Sequence, residues 1–493
     1  MSHIMAIDQG TSSSRVIIFD LAGRSLGASQ HEFDMTFPQD GWVEQDPEVL
    51  WQTTLLAGRE ALTQAGLAGS DIAAIGITNQ RETTLVWDRM SGQCFHNAIV
   101  WQDRRTVPQC DQMREDGMEQ LVAHATGLVI DPYFSATKLA WLLREIPELE
   151  KAAAAGNACF GTVDSYLIWR LTNGARHVTD ASNASRTMLF DISAQQWHPA
   201  LLEYLSIPAG MLPQVLDSAA EFGVADAQWF GAAIPIRGVA GDQQAALIGQ
   251  ACLSPGMAKS TYGTGCFAMI NTGHEQLISK QKLLSTIAYR IAGQTTYALE
   301  GSIFSAGVAV KWLRDQLGLV TSAAETEAAA LRTAGDTGGV YLVPAFTGLG
   351  APHWAPQARG LLTGLTLDTN RDQLVTATLA SVAYQTSELV AAMVGDGATL
   401  EHLRVDGGMV ANNWLCQFLA DVTGLPVERP QNTETTALGA AILAALGSGL
   451  VGDFAAAAAM WSLDREFLPV MSALERERLL TGWHQAVRRA LAT

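Results

Sequence analysis

No two cysteines of this chain stand at C-x-x-C spacing, and no histidine cluster stands at metal-ligand spacing. The six cysteines, Cys94, Cys110, Cys159, Cys252, Cys266 and Cys416, are scattered. That pattern argues against a disulfide framework or a zinc site and fits a reducing compartment. Positive charge is also scarce, with 31 Lys and Arg against 49 Asp and Glu and a formal net charge of −18. So acidic a surface repels polyanions, which sets aside nucleic acid and anionic membranes as partners. Any phosphate ligand must then be captured locally, by Mg²⁺, backbone amides and a few placed cations. The most apolar tract, 437–451, is rich in Ala and Gly and shorter than the roughly 18 residues a membrane helix needs, so no membrane insertion is expected. No charged segment followed by an apolar one opens the chain, so no secretory signal is expected and a cytoplasmic location is.

What the chain does have is core. Hydrophobic residues make up 48% of its 493 residues and charged ones 16%, enough for about two to four packed domains. Residues 5–20 read MAIDQGTSSSRVIIFD, an apolar run, a polar turn and a returning apolar run, which predicts a hairpin. Its turn offers a carboxylate (Asp8), a glycine, small hydroxyls and one guanidinium (Arg15). These suit a magnesium-bound polyphosphate: backbone amides and hydroxyls face phosphate oxygens, Arg15 neutralises charge, and Asp8 holds the metal, usually through water. The same residues also belong in a turn for conformational reasons alone, so by itself the stretch leaves both readings open.

Further along, the pattern predicts a third strand at 25–33, a helix at 47–66 opened by Pro47, and a strand at 72–87 interrupted by Asn79-Gln80-Arg81-Glu82. A short strand at 98–101 and helices at 137–146 and 164–171 follow. Near Ile236 the pattern restarts: Val239-Ala240-Gly241-Asp242 leads into a helix at 243–251, and 257–272 reads as a second hairpin with Gly263-Thr264-Gly265 in its turn. Two phosphate-type hairpins about 250 residues apart predict a duplicated fold with a ligand between the copies, divided near residue 248 into domains 1–248 and 249–493. A strand at 403–405, a Gly407-Gly408 turn ahead of a helix at 412–422, and a C-terminal helix at 472–492 complete the reading.

A small polyol needs charged donors and acceptors on one side of its pocket and aromatic walls on the other. Arg81, Glu82 and Asp242 supply the first; Trp101, Tyr133 and Phe267 supply the second. Taken singly, Arg81-Glu82 also reads as a surface ion pair, the aromatics as core, and Asp242 as a helix N-cap.

Nine segments, in order, bear a resemblance: DQGTSSSR (8–15), GITNQRETT (76–84), NAIVWQDRRT (97–106), GLVIDPYFSATK (127–138), TDASNASRTMLFDI (179–192), GDQQAALIGQ (241–250), STYGTGCF (260–267), PAFTGLGAPHW (344–354) and VDGGMVANNW (405–414). Through them the chain resembles the FGGY carbohydrate kinases, and among these the glycerol kinases, over nearly its whole length. The resemblance implies an α/β fold of two actin-like, ribonuclease H-like domains with an interdomain active-site cleft. It further implies ATP-dependent phosphorylation of glycerol to sn-glycerol 3-phosphate, with Asp242 as general base. Arg81, Glu82, Trp101, Tyr133, Asp242, Gln243 and Phe267 would hold the polyol, and Asp8 would orient Mg²⁺. Thr11, Ser12, Ser13 and Arg15 would bind phosphates from one half and Thr264 from the other, with Gly307, Lys311, Gly408 and Asn412 on the adenosine side. A dimer or tetramer is also implied. Three residues depart from the family's usual pattern: Lys311 stands where glutamine is common, His353 where an aromatic is, and Ala355 where aspartate is. The rival expectations are an FGGY kinase for a ketose or longer polyol, and an actin-fold nucleotide switch.

Overall fold

In the computed structural model, which describes residues 2–492, the opening run folds as an antiparallel hairpin, His3–Gln9 against Ser13–Phe19. Ile4 to Ile7 and Val16 to Phe19 are all buried. Both faces of the hairpin are covered, so its strands are apolar throughout instead of alternating. Ser25–Glu32 adds to it antiparallel, and Ile72–Asn79 pairs parallel with His3–Gln9. Ile234–Gly241 follows parallel, and Ala219–Ala225 closes the edge antiparallel.

The second sheet repeats this plan. The hairpin Met257–Tyr262 with Cys266–Gly273 is joined by Gln294–Ile303 antiparallel, then by His402–Asp406 and Val427–Pro430 parallel, and by Leu463–Phe467 antiparallel at the edge. Leu284–Ile291 is an extra strand at its other edge. The order and direction of six strands therefore recur, which makes the chain an α/β protein of two related halves.

Several expectations need correction. The pattern does not restart near Ile236: Ile234–Gly241 bonds to Ile72–Asn79 and is the last parallel strand of the first sheet, so the repeat begins at Met257. The run 72–87 is two strands, because after Asn79 the backbone turns through Glu82 at φ 59°, and Leu85–Asp88 pairs elsewhere, with Ala158–Gly161. The strand at 98–101 shrinks to Ala98–Ile99. The Gly407-Gly408 turn ahead of a helix is found as expected, with the 3-10 turn Gly408–Ala411 leading into the helix Asn413–Thr423. The helix Pro47–Ala65 is capped as its sequence suggests, with Asp46 accepting from the Glu48 amide and Gly66 left-handed at φ 66°.

The apolar tract at 437–451 forms the helix Thr435–Gly447, which packs on the helix Asp242–Gly249 and on the first sheet. Glycines permit the approach. A Cβ on Gly439 would stand 1.8 Å from the Ala245 carbonyl oxygen, and one on Gly249 1.9 Å from that of Thr435. A Cβ on Gly76 would stand 2.1 Å from the Ala440 oxygen. Among the described residues no helix is long and apolar enough to cross a membrane.

Because backbone atoms line that crossing and cannot turn aside, Gly439→Ala is expected to destabilise the protein by about 1–3 kcal/mol in urea denaturation.

Candidate functional site

Three parallel strands end side by side. Asp8 is in register with Thr78 and Thr78 with Ala240; Gln9 is in register with Asn79 and Asn79 with Gly241. The carboxyl ends of parallel strands are where open α/β sheets bind ligands. Asp8, the bend Gln80 to Glu82, and Asp242 all sit there.

Arg81 and Glu82 are not on the surface: their side chains are 2% and 1% exposed. The Arg81 guanidinium donates to both oxygens of Glu300, at 2.5 and 2.9 Å, and lies 3.0 Å from Asp242 through Nε. Arg186, fully buried, donates to Glu82 at 2.7 Å and to Glu300 at 3.1 Å. Two cations and two anions thus share one buried cluster, and Glu300 is its member from the second sheet. Burial opposes ionisation of Glu300, but Arg186 and Arg81 outweigh it and hold this carboxyl at about 2. At Glu82 burial wins, and the carboxyl is raised from its ordinary value despite Arg186 and Arg81. The left-handed backbone of Glu82 is costly for a side-chain-bearing residue, and the Ser135 and Thr84 hydroxyls brace it by donating to its carbonyl at 2.9 and 3.0 Å.

Asp242 is not the N-cap of its helix. Gly241 holds that position, and Asp242 is the first residue of Asp242–Gly249. One carboxylate oxygen accepts from the Gln243 amide at 2.7 Å and faces Arg81; the side chain stays 31% exposed. The strand end is pinned from below, where the Gly241 amide donates to Ser182 Oγ at 3.0 Å and Asp180 accepts from the Ser182 amide at 2.9 Å. The aromatic residues meet: Trp101 stands edge-on to Tyr133, with ring centroids 5.4 Å apart, and to Phe267 at 6.5 Å.

In the first hairpin turn Thr11 Oγ1 accepts from Trp101 Nε1 at 2.9 Å, Ser13 Oγ accepts from Gln30 at 3.0 Å, and Ser12 is exposed. Arg15 is ion-paired with Glu434, from the second half. In the second turn Thr264 is exposed, and its carbonyl accepts from the Ala306 and Val308 amides at 3.0 and 3.1 Å. Gly307 begins the helix Gly307–Asp315, with its amide on the Gly263 carbonyl at 3.0 Å; a Cβ there would come within 2.5 Å of that oxygen. Lys311, one turn on, is exposed. Gly408 faces open space. The Asn412 side chain caps Asn413–Thr423, accepting from the Leu415 amide at 2.9 Å.

With this geometry in hand, comparison with known proteins is decisive. The N-terminal domain of the FGGY family of carbohydrate kinases matches residues 3–249, and its C-terminal domain matches residues 258–448. The chain belongs to the FGGY family of carbohydrate kinases. It is similar to the glycerol kinase of Ectopseudomonas mendocina (strain ymp), at 58% identity over 99% of this chain and 98% of that one. Glycerol kinase 1 of Pseudomonas aeruginosa is 57% identical over 99% of each chain. Among solved structures, Plasmodium falciparum glycerol kinase with ADP superposes with a TM-score of 0.93 at 34% identity, over 100% of this chain and 98% of that one. Xylulose kinase from Lactobacillus acidophilus, at 20% identity and a TM-score of 0.88 over 100% and 99% of the chains, shares the fold.

For an FGGY kinase the residues that sequence reasoning overlooked matter as much as those it named. Glu300 is the one charged residue of the strand Gln294–Ile303, which is a signal of sorts. Arg186 lies inside the TDASNASRTMLFDI segment, Lys259 directly precedes STYGTGCF, and Glu434 opens the helix Thr435–Gly447. Folding also gathers His402, Glu428 and Glu466 with ligand atoms within 4.8 Å, though Arg404 already pairs with Glu428 at 2.9 Å.

A hard cation fits beside Asp8. Burial, with the negative charge of Asp242, pushes this carboxyl up to about 7; Arg15 opposes the shift and Glu434 adds to it. Its register neighbour Thr78 has a buried hydroxyl with no hydrogen-bond partner. An anion raised by other anions, next to an orphaned oxygen, is a suitable host for Mg²⁺.

Two outcomes follow from these charges. Glu300→Gln leaves the paired arginines short of a carboxylate, so a loss of about 3–5 kcal/mol is expected in urea denaturation. A carboxyl bound more tightly to its proton in the folded state makes stability fall as pH rises between the ordinary carboxylate range and about 7. Without metal, Asp8→Asn should therefore gain on the unsubstituted chain as pH rises through that window, by at most about 1.4 kcal/mol per pH unit, as read from denaturation midpoints.

Proposed function

We propose that the chain transfers the γ-phosphoryl group of ATP to glycerol, giving sn-glycerol 3-phosphate, in the cleft between its two halves. The observation that carries this reading is the contrast within the polar cluster. Arg81, Glu82 and Glu300 are at most 2% exposed, while the Asp242 carboxylate beside them is 31% exposed at the strand ends. The attacking hydroxyl must lose a proton as it bonds to phosphorus, and Asp242 is the acceptor. Arg81 Nε, at 3.0 Å, keeps that carboxylate in place. Trp101, Tyr133 and Phe267 shelter the carbon backbone, while Arg81, Glu82 and Gln243 address its hydroxyls.

Thr11, Ser12 and Ser13 meet the phosphates from the first half and Thr264 from the second, and Arg15 exchanges Glu434 for a phosphate oxygen. Gly307, Lys311, Gly408 and Asn412 border the adenosine, with Gly408 leaving the space it needs. Asp8 would hold Mg²⁺, which when bound neutralises charge on the β- and γ-phosphates. Because ligands are drawn from both halves, their approach expels water and limits idle ATP hydrolysis. The division at about residue 248, a cytoplasmic location and a dimeric or tetrameric assembly belong to the same reading.

ADP release should depend on glycerol in a coupled assay, and a preference for a ketose across a panel of polyols would overturn the substrate. Asp242→Asn should lower turnover by about 10² to 10⁴ with the thermal midpoint little changed, since Arg81 keeps both oxygens of Glu300 and an amide oxygen can still face its Nε. Full activity in that variant would remove Asp242 from the chemistry.

A further inference from the structure

Lys259 lies on the strand Met257–Tyr262 with no exposed surface, and its hydrogen bonds go to three neutral oxygens. Nζ donates to Gln243 Oε1, to Thr261 Oγ1 at 3.0 Å and to the Phe267 carbonyl at 3.3 Å. A buried ammonium is costly, and burial pushes this one down from its ordinary value against the fields of Asp406, Glu300 and Asp242. Such a group should act on something.

We propose that Lys259 is a positioning residue of the polyol site, fixing the side-chain amide of Gln243 with its oxygen turned inward so that the amide NH₂ donates to a substrate hydroxyl. An ammonium has protons to give and no lone pair, so the amide beside it can present only oxygen. The other end of that amide is then determined. Gln243 is 6% exposed, and Nε2 has no hydrogen-bond partner among the described residues, although the backbone amide of the same residue is bonded to Asp242. An unpartnered donor directly after the proposed base complements it. Asp242 accepts from one hydroxyl while Gln243 donates to its neighbour, a pair suited to adjacent hydroxyls and not to an isolated one.

The same ammonium joins the halves. Gln243 belongs to the helix following the first sheet; Thr261 and Phe267 belong to the hairpin of the second, which carries Thr264 at its tip. Lys259 therefore ties the polyol donor to the hairpin that meets the phosphates.

The inference rests on the glycerol reading, and the experiment separates the two. Lys259→Met keeps length and removes the donors. Its KM for glycerol is expected to rise about tenfold, with the KM for ATP within about twofold. In Gln243→Glu the inner oxygen remains and gains a charge opposite Lys259, while the cleft end becomes an acceptor; glycerol KM should again rise about tenfold with the thermal midpoint held or raised. Combining Lys259→Met with Gln243→Met should add little to either alone, since both remove one oriented donor. An unchanged glycerol KM in a folded Lys259→Met protein, or equal rises for both substrates, overturns the proposal. Should that variant not fold, an unchanged glycerol KM in Gln243→Glu overturns it instead. If the unsubstituted chain does not phosphorylate glycerol, the substrate reading falls, and the same comparison is made on the polyol it prefers.

Discussion

The site depends on four charges held almost entirely out of solvent. Arg81 and Arg186 face Glu82 and Glu300 in a cluster whose side chains are at most 2% exposed, with Glu300 contributed by the second half and the other three by the first. Ions so deeply buried are tolerable only when each finds opposite charge with good geometry, and here the Arg81 fork meets both Glu300 oxygens. Any slippage between the halves would strand one of these charges. The cluster therefore fixes how the second sheet sits on the first, and with it the place of every residue at the strand ends.

From that constraint follows a division of labour. The nearly buried members hold position, while Asp242, the base of the proposed reaction, stays partly open. Supports repeat the theme at smaller scale: Ser182 pins the strand end behind Asp242, and the Lys138 ammonium donates to the Tyr133 carbonyl at 3.0 Å and to that of Pro132. Glycines do the complementary work where two helices cross so closely that a methyl group has no place. Rigid backbone beneath the strand ends and oriented polar side chains above them are what a reaction with a defined line of attack requires.

Much of this was legible in the sequence, for reasons that can be stated. The hairpins stood out through apolar runs around polar turns, clearest in the first, where Ile4 to Ile7 and Val16 to Phe19 are all buried. Arg81, Glu82 and Asp242 stood out because charge beside such runs is expensive without purpose. What could not be read was pairing across distance. Nothing local to Glu300 says that its partner lies 219 positions earlier, and nothing near Arg15 announces Glu434. The Asp242 cap was a fair local inference; Gly241 took the position because the strand runs straight into the helix. Likewise the restart near Ile236 was a true strand-to-helix signal assigned to the wrong half, since strand order depends on hydrogen bonds that no periodicity encodes.

The charge balance of the chain bears on the order of events in the proposed reaction. Asp8 feels the negative charge of Asp242 and Glu434, and the guanidiniums beside these are already engaged, Arg81 by Glu300 and Asp242 and Arg15 by Glu434. Together with a net charge of −18, that arrangement repels a bare polyphosphate. A nucleotide carrying its own divalent cation meets the opposite field, because the same carboxylates that reject the phosphates attract the metal. In the proposed reaction, release of Arg15 from Glu434 would free a cation for the phosphates. The acidity that argued against nucleic acid at the outset thus also favours, in the proposed reaction, a metal-bound nucleotide over a free one.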